Sequence, residues 1–149
     1  MKVIILVGAS GAGKSTWIEK NCPQAHVVSA DKFFLVDGIH KFDVTKMDKA
    51  HAYALRNFIM CCATAKDLIV VDNTNTTIQE IAPYIAVANA YEADELEIVW
   101  FGTDRIKDLV RRNVHNVQEH TIRRHIDNMA KTKMFWPHYW PIPTVVYDE

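Results

Sequence analysis

Residues Gly8-Ala9-Ser10-Gly11-Ala12-Gly13-Lys14-Ser15 form an unbroken G-x-x-x-x-G-K-[ST] run, directly after an apolar β-branched segment and directly before a helical pattern. A chain with this run must deliver a tight loop from the end of a buried strand into the start of a helix. Its backbone N–H groups then turn inward as an anion-binding nest, and the positive end of the helix dipole points at the same spot. A chance glycine-rich turn would need neither the strand nor the helix, and both patterns are present. In this setting Lys14 is expected to bridge the β- and γ-phosphates of a nucleoside triphosphate, and the Ser15 hydroxyl to reach Mg²⁺. Gly8, Ala9, Ser10, Gly11, Ala12, Gly13, Lys14 and Ser15, with Thr16 on the first helical turn, are the candidate nucleotide-binding residues.

The rest of the chain alternates strand with helix. Lys2–Val7 is a continuous apolar run of the kind buried on both faces of a parallel sheet, and shorter runs recur at 25–29, 68–72, 96–101 and 144–147. Helices are predicted over about 13–20, 45–66, 105–114 and 119–131, and another from Thr77, which has Glu80 at capping-box spacing. The aromatic and proline-rich stretch 135–143 reads as an extended connection into the last strand. Strand alternating with helix means an α/β sheet. At 149 residues the chain suits one domain, which would bury roughly 68–70% of its unfolded surface without disulfides.

Composition narrows the setting. Hydrophobic residues make up 49% and charged residues 23%, as in ordinary globular proteins. Cys22, Cys61 and Cys62 have neither pairing nor metal-ligand spacing, so they are expected to be reduced, partly buried thiols. No apolar run reaches ~18 residues and no signal-peptide core is visible, so a cytoplasmic compartment without membrane contact is expected. The formal net charge of −1 argues against coating duplex DNA by charge alone. Residues 104–133 nevertheless carry eight Lys or Arg against four acids, which is +4 against −5 for the remainder. Two basic helices there read either as a solvated face or as a lid, at about 104–133, that brings a guanidinium to the phosphates.

Two acids follow strands, at the edge where open α/β sheets bind ligands. Asp72 closes the run Leu68–Val71 and is the candidate Mg²⁺ carboxylate together with Ser15, unless it only caps local backbone. Asn73, Thr74 and Asn75 could orient substrate or metal waters, and turn chemistry explains them equally well. Asp31 follows the second strand and is the candidate base for an attacking hydroxyl, unless it merely favours the dipole of a short helix.

These segments together resemble the 5′-kinase domain of bacteriophage polynucleotide kinase and its small P-loop kinase relatives. The resemblance rests on Gly13-Lys14-Ser15-Thr16-Trp17, Ser29-Ala30-Asp31, Asp72-Asn73-Thr74-Asn75 and Leu109-Val110-Arg111-Arg112-Asn113. It implies a P-loop kinase-like, parallel five-stranded sheet of order 2-3-1-4-5 with helices on both faces and a helical lid. It also implies ATP with Mg²⁺, Lys14 and an aspartate base at Asp31 as catalytic residues, and a lid arginine at Arg112. Phe34 stands where the phage enzyme has an arginine for the nucleic-acid phosphate, and His115 and Asn116 stand where it has a second lid arginine. The acceptor therefore stays open between the 5′-hydroxyl of a single-stranded nucleic acid end, a hydroxyl of a nucleotide or modified base, and a small metabolite. A non-catalytic, nucleotide-gated binding module is the reading from another class. No N-K-x-D or D-x-x-G run supports a GTPase switch.

Overall fold

The computed structural model describes residues 1–102, 106–111 and 117–146. Five strands build one parallel sheet: β1 (Lys2–Val7), β2 (His26–Val28), β5 (Leu68–Val71), β6 (Glu95–Phe101) and β7 (Thr144–Val146), in the spatial order β2-β5-β1-β6-β7. Numbering only these five along the chain gives 2-3-1-4-5, the expected order. β1 is central, with Ile5 opposite Val71 on one side and Ile98 on the other. Its alternating side chains enter two cores, as a period of two requires. Val3, Ile5 and Val7 pack with α2 (Met47–Ala63) and α3 (Ile78–Ala90), whereas Ile4 and Leu6 face α1 (Lys14–Asn21) and α4 (Ile106–Arg111). The last helix, α5 (Glu119–Met134), contributes Ile122 to one core and Met129 to the other.

The helices follow their apolar spacing and their caps. In α2 the buried stripe is Ala50, Ala54, Phe58 and Cys62. The helix is shorter than predicted at both ends. Asp43 accepts from the Thr45 N–H at 3.0 Å and holds Val44–Lys46 in a 3₁₀ turn, and Ala65 takes a left-handed φ of 51° past the last turn. Thr77 caps α3 by accepting from the Glu80 N–H at 3.2 Å, and Pro83 lies inside that helix. Among the described residues no helix is long and apolar enough to cross a membrane. Cys22 and Cys62 are buried and all three cysteines are free thiols.

Two segments differ from the sequence reading. A small hairpin, β3 (Leu35–Val36) with β4 (Ile39–His40), turns at Asp37 and Gly38, whose φ angles are 51° and 78°. Asp-Gly is the favoured pair where both turn residues need positive φ, so the signal was present in the sequence. The stretch 135–143 is not an extended connection: the Trp140 N–H bonds the Pro137 carbonyl at 3.0 Å and closes a turn. Trp136 stacks edge-on between Trp100 of β6 and Trp140, with ring centroids 6.0 and 5.1 Å apart. This aromatic burial draws the chain back over the sheet.

Candidate functional site

The loop from Gly8 to Gly13 leaves the carboxyl end of β1 and enters α1 at Lys14. Gly11 and Gly13 take φ angles of 83° and 93°, which L side chains rarely adopt. A Cβ on Gly11 would also run into the Leu109 carbonyl, so α4 presses directly on the loop. Gly13 occupies the N-cap of α1 and offers no side-chain cap. The first-turn N–H groups are therefore left for an anion.

Lys14 folds back across this loop, its Nζ donating to the Gly8 carbonyl at 2.8 Å and the Ala9 carbonyl at 2.9 Å. Burial pushes its pKa down to about 8, against the pull of the Asp72 carboxylate. Asp72 follows β5, and its N–H bonds the Val28 carbonyl at 2.8 Å. Lys14 and Asp72 thus sit within electrostatic reach at the carboxyl edge of the sheet. Thr16 is exposed on the first turn of α1, as is Ser15.

The polar run after Asp72 serves the backbone. The Asn73 Oδ1 accepts from the Ala30 N–H at 2.8 Å, and its amide meets the Tyr84 hydroxyl at 3.3 Å. Burial pushes the Tyr84 phenol up to about 12. The Thr74 carbonyl accepts from the Gly8 N–H at 2.9 Å, and the Asn75 Nδ2 donates to the Leu6 carbonyl at 2.8 Å. These bonds lock the end of β5 both to the start of the phosphate loop and to the segment carrying Asp31. The bonds that Asn73 and Asn75 make reach distant segments of the chain, so they are tertiary ties rather than local turn bonds.

Asp31 lies in the first turn of a 3₁₀ segment, Ala30–Phe34, capped by the Ser29 hydroxyl, which accepts from the Asp31 N–H at 3.2 Å. Its carboxylate is half-exposed, and Oδ1 lies 2.8 Å from the Nε2 of His40 on β4. Opposite a carboxylate, Nε2 carries the proton and donates. The neighbouring Phe34 is buried in the core, and Phe33 packs on Tyr53 of α2.

A second histidine reaches the loop from the basic segment. His125 on α5 places Nδ1 at 3.5 Å from the Ser10 N–H, and burial, reinforced by Lys14 and Arg124, pushes its pKa down to about 4. Sequence reasoning passed over His40 and assigned His125 no role. The Asp-Gly turn was the available signal for the first. For the second it was spacing: His125 lies three residues after Ile122 and four before Met129, on the buried face of α5. Arg112, the expected lid arginine, lies outside the described residues. Arg123 pairs with Glu119 at 3.2 Å on the exposed face of α5.

The donor set fits Mg²⁺ in its usual protein form, one or two oxygen ligands with the phosphates supplying the rest. The candidate oxygens are those of Ser15 and Asp72, and among the described residues no cluster of three or more acids, histidines or cysteines forms a separate cage.

A family model described as an AAA domain matches residues 3–133. The chain is 28% identical over 134 residues to human NEDD4-binding protein 2, a match that covers 87% of this chain and 8% of that protein. Among solved structures it resembles a chain of the Pnkp1/Rnl/Hen1 RNA repair complex with a TM-score of 0.72 and 20% identity, over 95% of this chain and 48% of that one. A gluconokinase from Sinorhizobium meliloti 1021 superposes with a TM-score of 0.62 and 14% identity, over 98% of this chain and 82% of that one. The fold is that of the P-loop kinases. The chain spans less than a tenth of the human relative's length and about half of the repair-complex chain.

Proposed function

This chain belongs to the AAA domain family, and from that premise we propose that it is an ATP-dependent kinase that transfers the γ-phosphoryl group to a hydroxyl. The observation that carries the reading is the meeting of two parts at one sheet edge. A phosphate loop with an inward lysine lies beside Asp72, and a half-exposed aspartate, Asp31, is held to the same edge through Asn73. A binding module needs the first part and has no use for the second.

In this mechanism the loop N–H groups and Lys14 bind the β- and γ-phosphates. Ser15 and Asp72 hold Mg²⁺, which screens phosphate charge when bound. Asp31 takes the proton of the attacking hydroxyl, oriented by the hydrogen bond from His40. Arg112 supplies a guanidinium to the transferred phosphoryl, a role that rests on its resemblance to the lid arginine of the phage kinase. The preferred acceptor is the 5′-hydroxyl of a polynucleotide or a hydroxyl of a nucleotide or modified base, in a cytoplasmic setting. The likeness to a chain of an RNA repair complex supports the polynucleotide acceptor.

A small-metabolite kinase is the second reading. It is favoured by the near-full-length likeness to a gluconokinase and by Phe34 being buried rather than offered to a base. The deciding experiment incubates the protein with γ-labelled ATP, Mg²⁺ and 5′-hydroxyl DNA, 5′-hydroxyl RNA, nucleosides and sugars. Transfer of label to one class names the acceptor. ATP binding without transfer to any of them would sink the kinase reading.

A further inference from the structure

The backbone N–H of Ser10 lies in the third position of the phosphate loop, and its partner is a side chain from the far side of the site, the His125 Nδ1 at 3.5 Å. We propose that His125 sets nucleotide affinity by standing in for a phosphate oxygen on the Ser10 N–H, so that the imidazole must yield this donor when a polyphosphate enters. The proposal rests on the loop binding nucleotide phosphates, which is part of the function proposed above.

Three features support the exchange. The first is where α5 is held: Ile122 and Met129 are buried on either side of His125, and the Thr132 hydroxyl donates to the Thr76 carbonyl at 2.6 Å. The helix is thus anchored next to the end of β5, with the face carrying His125 turned to the loop. The second is the state of the ring. Buried beside Lys14 and Arg124, it stays neutral, so Nδ1 keeps a lone pair and acts as an acceptor. The third is the loop itself, part of whose polar backbone is already engaged by side chains. Lys14 takes the Gly8 and Ala9 carbonyls, and His125 takes the Ser10 N–H.

One N–H cannot serve two acceptors at full strength. A charged phosphate oxygen makes a bond roughly twice as strong as a neutral imidazole, so it wins the competition and pays for the displacement in affinity. A long, neutral bond suits a placeholder, because a stronger one would hold the site shut.

The test measures ADP binding by calorimetry in wild type, His125→Ala, His125→Asn and His125→Gln, with thermal unfolding of each protein with and without ADP. An Asn Oδ1 occupies nearly the position of the His Nδ1, whereas a Gln carbonyl reaches past it. The expected result is ADP binding roughly 3- to 10-fold tighter in His125→Ala, the range for losing one competing neutral hydrogen bond. His125→Gln should behave like His125→Ala, and His125→Asn like wild type. The unfolding temperature should fall in His125→Ala without ADP and recover when ADP saturates. Unchanged or weaker ADP binding in His125→Ala and His125→Gln overturns the proposal, as does an Asn variant that tracks the Ala variant. Wild-type protein that binds no ADP overturns this proposal and the kinase reading together, whereas ADP binding indifferent to His125 overturns this one alone.

Discussion

Asp31 and His40 meet at 2.8 Å between Oδ1 and Nε2, one from the 3₁₀ turn after β2 and the other from the outgoing strand of a two-residue hairpin. The bond ties the carboxylate to the hairpin. Asp31→Asn is expected to keep ATP affinity and lose about 10²- to 10⁴-fold in turnover, because an amide accepts a hydrogen bond but cannot take the proton. His40→Ala should lower kcat by less and leave the KM for ATP unchanged, and His40→Gln, which keeps an N–H donor, should recover much of the loss. Steady-state kinetics on the three variants and on the Asp31→Asn, His40→Ala double variant checks this. A further large loss in the double variant would show that His40 acts independently of Asp31.

Lys14 carries the second prediction. Its ammonium bonds two loop carbonyls while its burial carries a desolvation cost, so Lys14→Ala should unfold no lower than wild type and lose transfer. Wild-type transfer rates in this variant would refute the role.

The pKa of Lys14, lowered from 10.5 to about 8, adds a pH dependence with a definite sign. Bound phosphate would raise that value again. Below about pH 8 the ammonium is charged with or without nucleotide, and affinity is flat. Above it the free protein loses the proton, so binding must take one up and affinity falls as pH rises. In the nucleotide-free protein the folded value lies below the unfolded one, so the penalty this group places on folding is full below about pH 8 and is relieved as pH rises towards 10.5. Calorimetry at pH 8.5 in two buffers of different ionisation heat should show net proton uptake on ADP binding. Equal heats in both buffers would contradict it.

The parts of this molecule legible in its sequence are those specified by short, contiguous patterns. The phosphate loop, its flanking strand and helix, the buried stripe of α2 and the Thr77 cap each depend on residues within a turn or two of one another. Strand order came from family resemblance rather than from any local pattern. The Asp31–His40 contact depends on where the hairpin from Leu35 to His40 lands, and the Ser10–His125 contact joins residues 115 positions apart. The stretch 135–143 departs from extension for the same reason: its prolines suggest an extended chain, and the packing of Trp136 against Trp140 overrides them.

Phe58 tests the packing that holds this edge in place. It is fully buried on α2 and meets Tyr84 of α3 edge-on at 5.1 Å, and Tyr84 in turn bonds Asn73 beside the site. Phe58→Ala should destabilise the fold by about 3–5 kcal/mol in urea unfolding, the range for emptying a buried aromatic site. Met60, exposed on the same helix, should change stability by less than about 0.5 kcal/mol when replaced by Ala. Equal effects at the two positions would mean that α2 does not pack through the Phe58 face.

The last prediction concerns Arg112, which follows the exposed Arg111 at the end of α4 and is not among the described residues. Its proposed role is to meet the phosphoryl group mainly in the transition state. Arg112→Ala should then lower kcat strongly and change the KM for ATP little. Arg112→Lys should rescue only part of the loss, because an ammonium keeps the charge and cannot form the planar fork. Arg123→Ala is the internal control: its guanidinium pairs with Glu119 on an exposed helical face, a contact worth about 0.3–0.5 kcal/mol at most, so activity should stay within a few-fold of wild type. Arg111→Ala, one position away, separates a role of Arg112 from a general effect of positive charge in the lid. If kcat survives in Arg112→Ala and collapses in Arg111→Ala, the transition-state contact belongs to Arg111. If all three alanine variants match wild type, no arginine in this set stabilises the transferred phosphoryl group, and the role passes to Lys14 and the loop N–H groups or to Arg124, whose charge is felt beside the loop at His125.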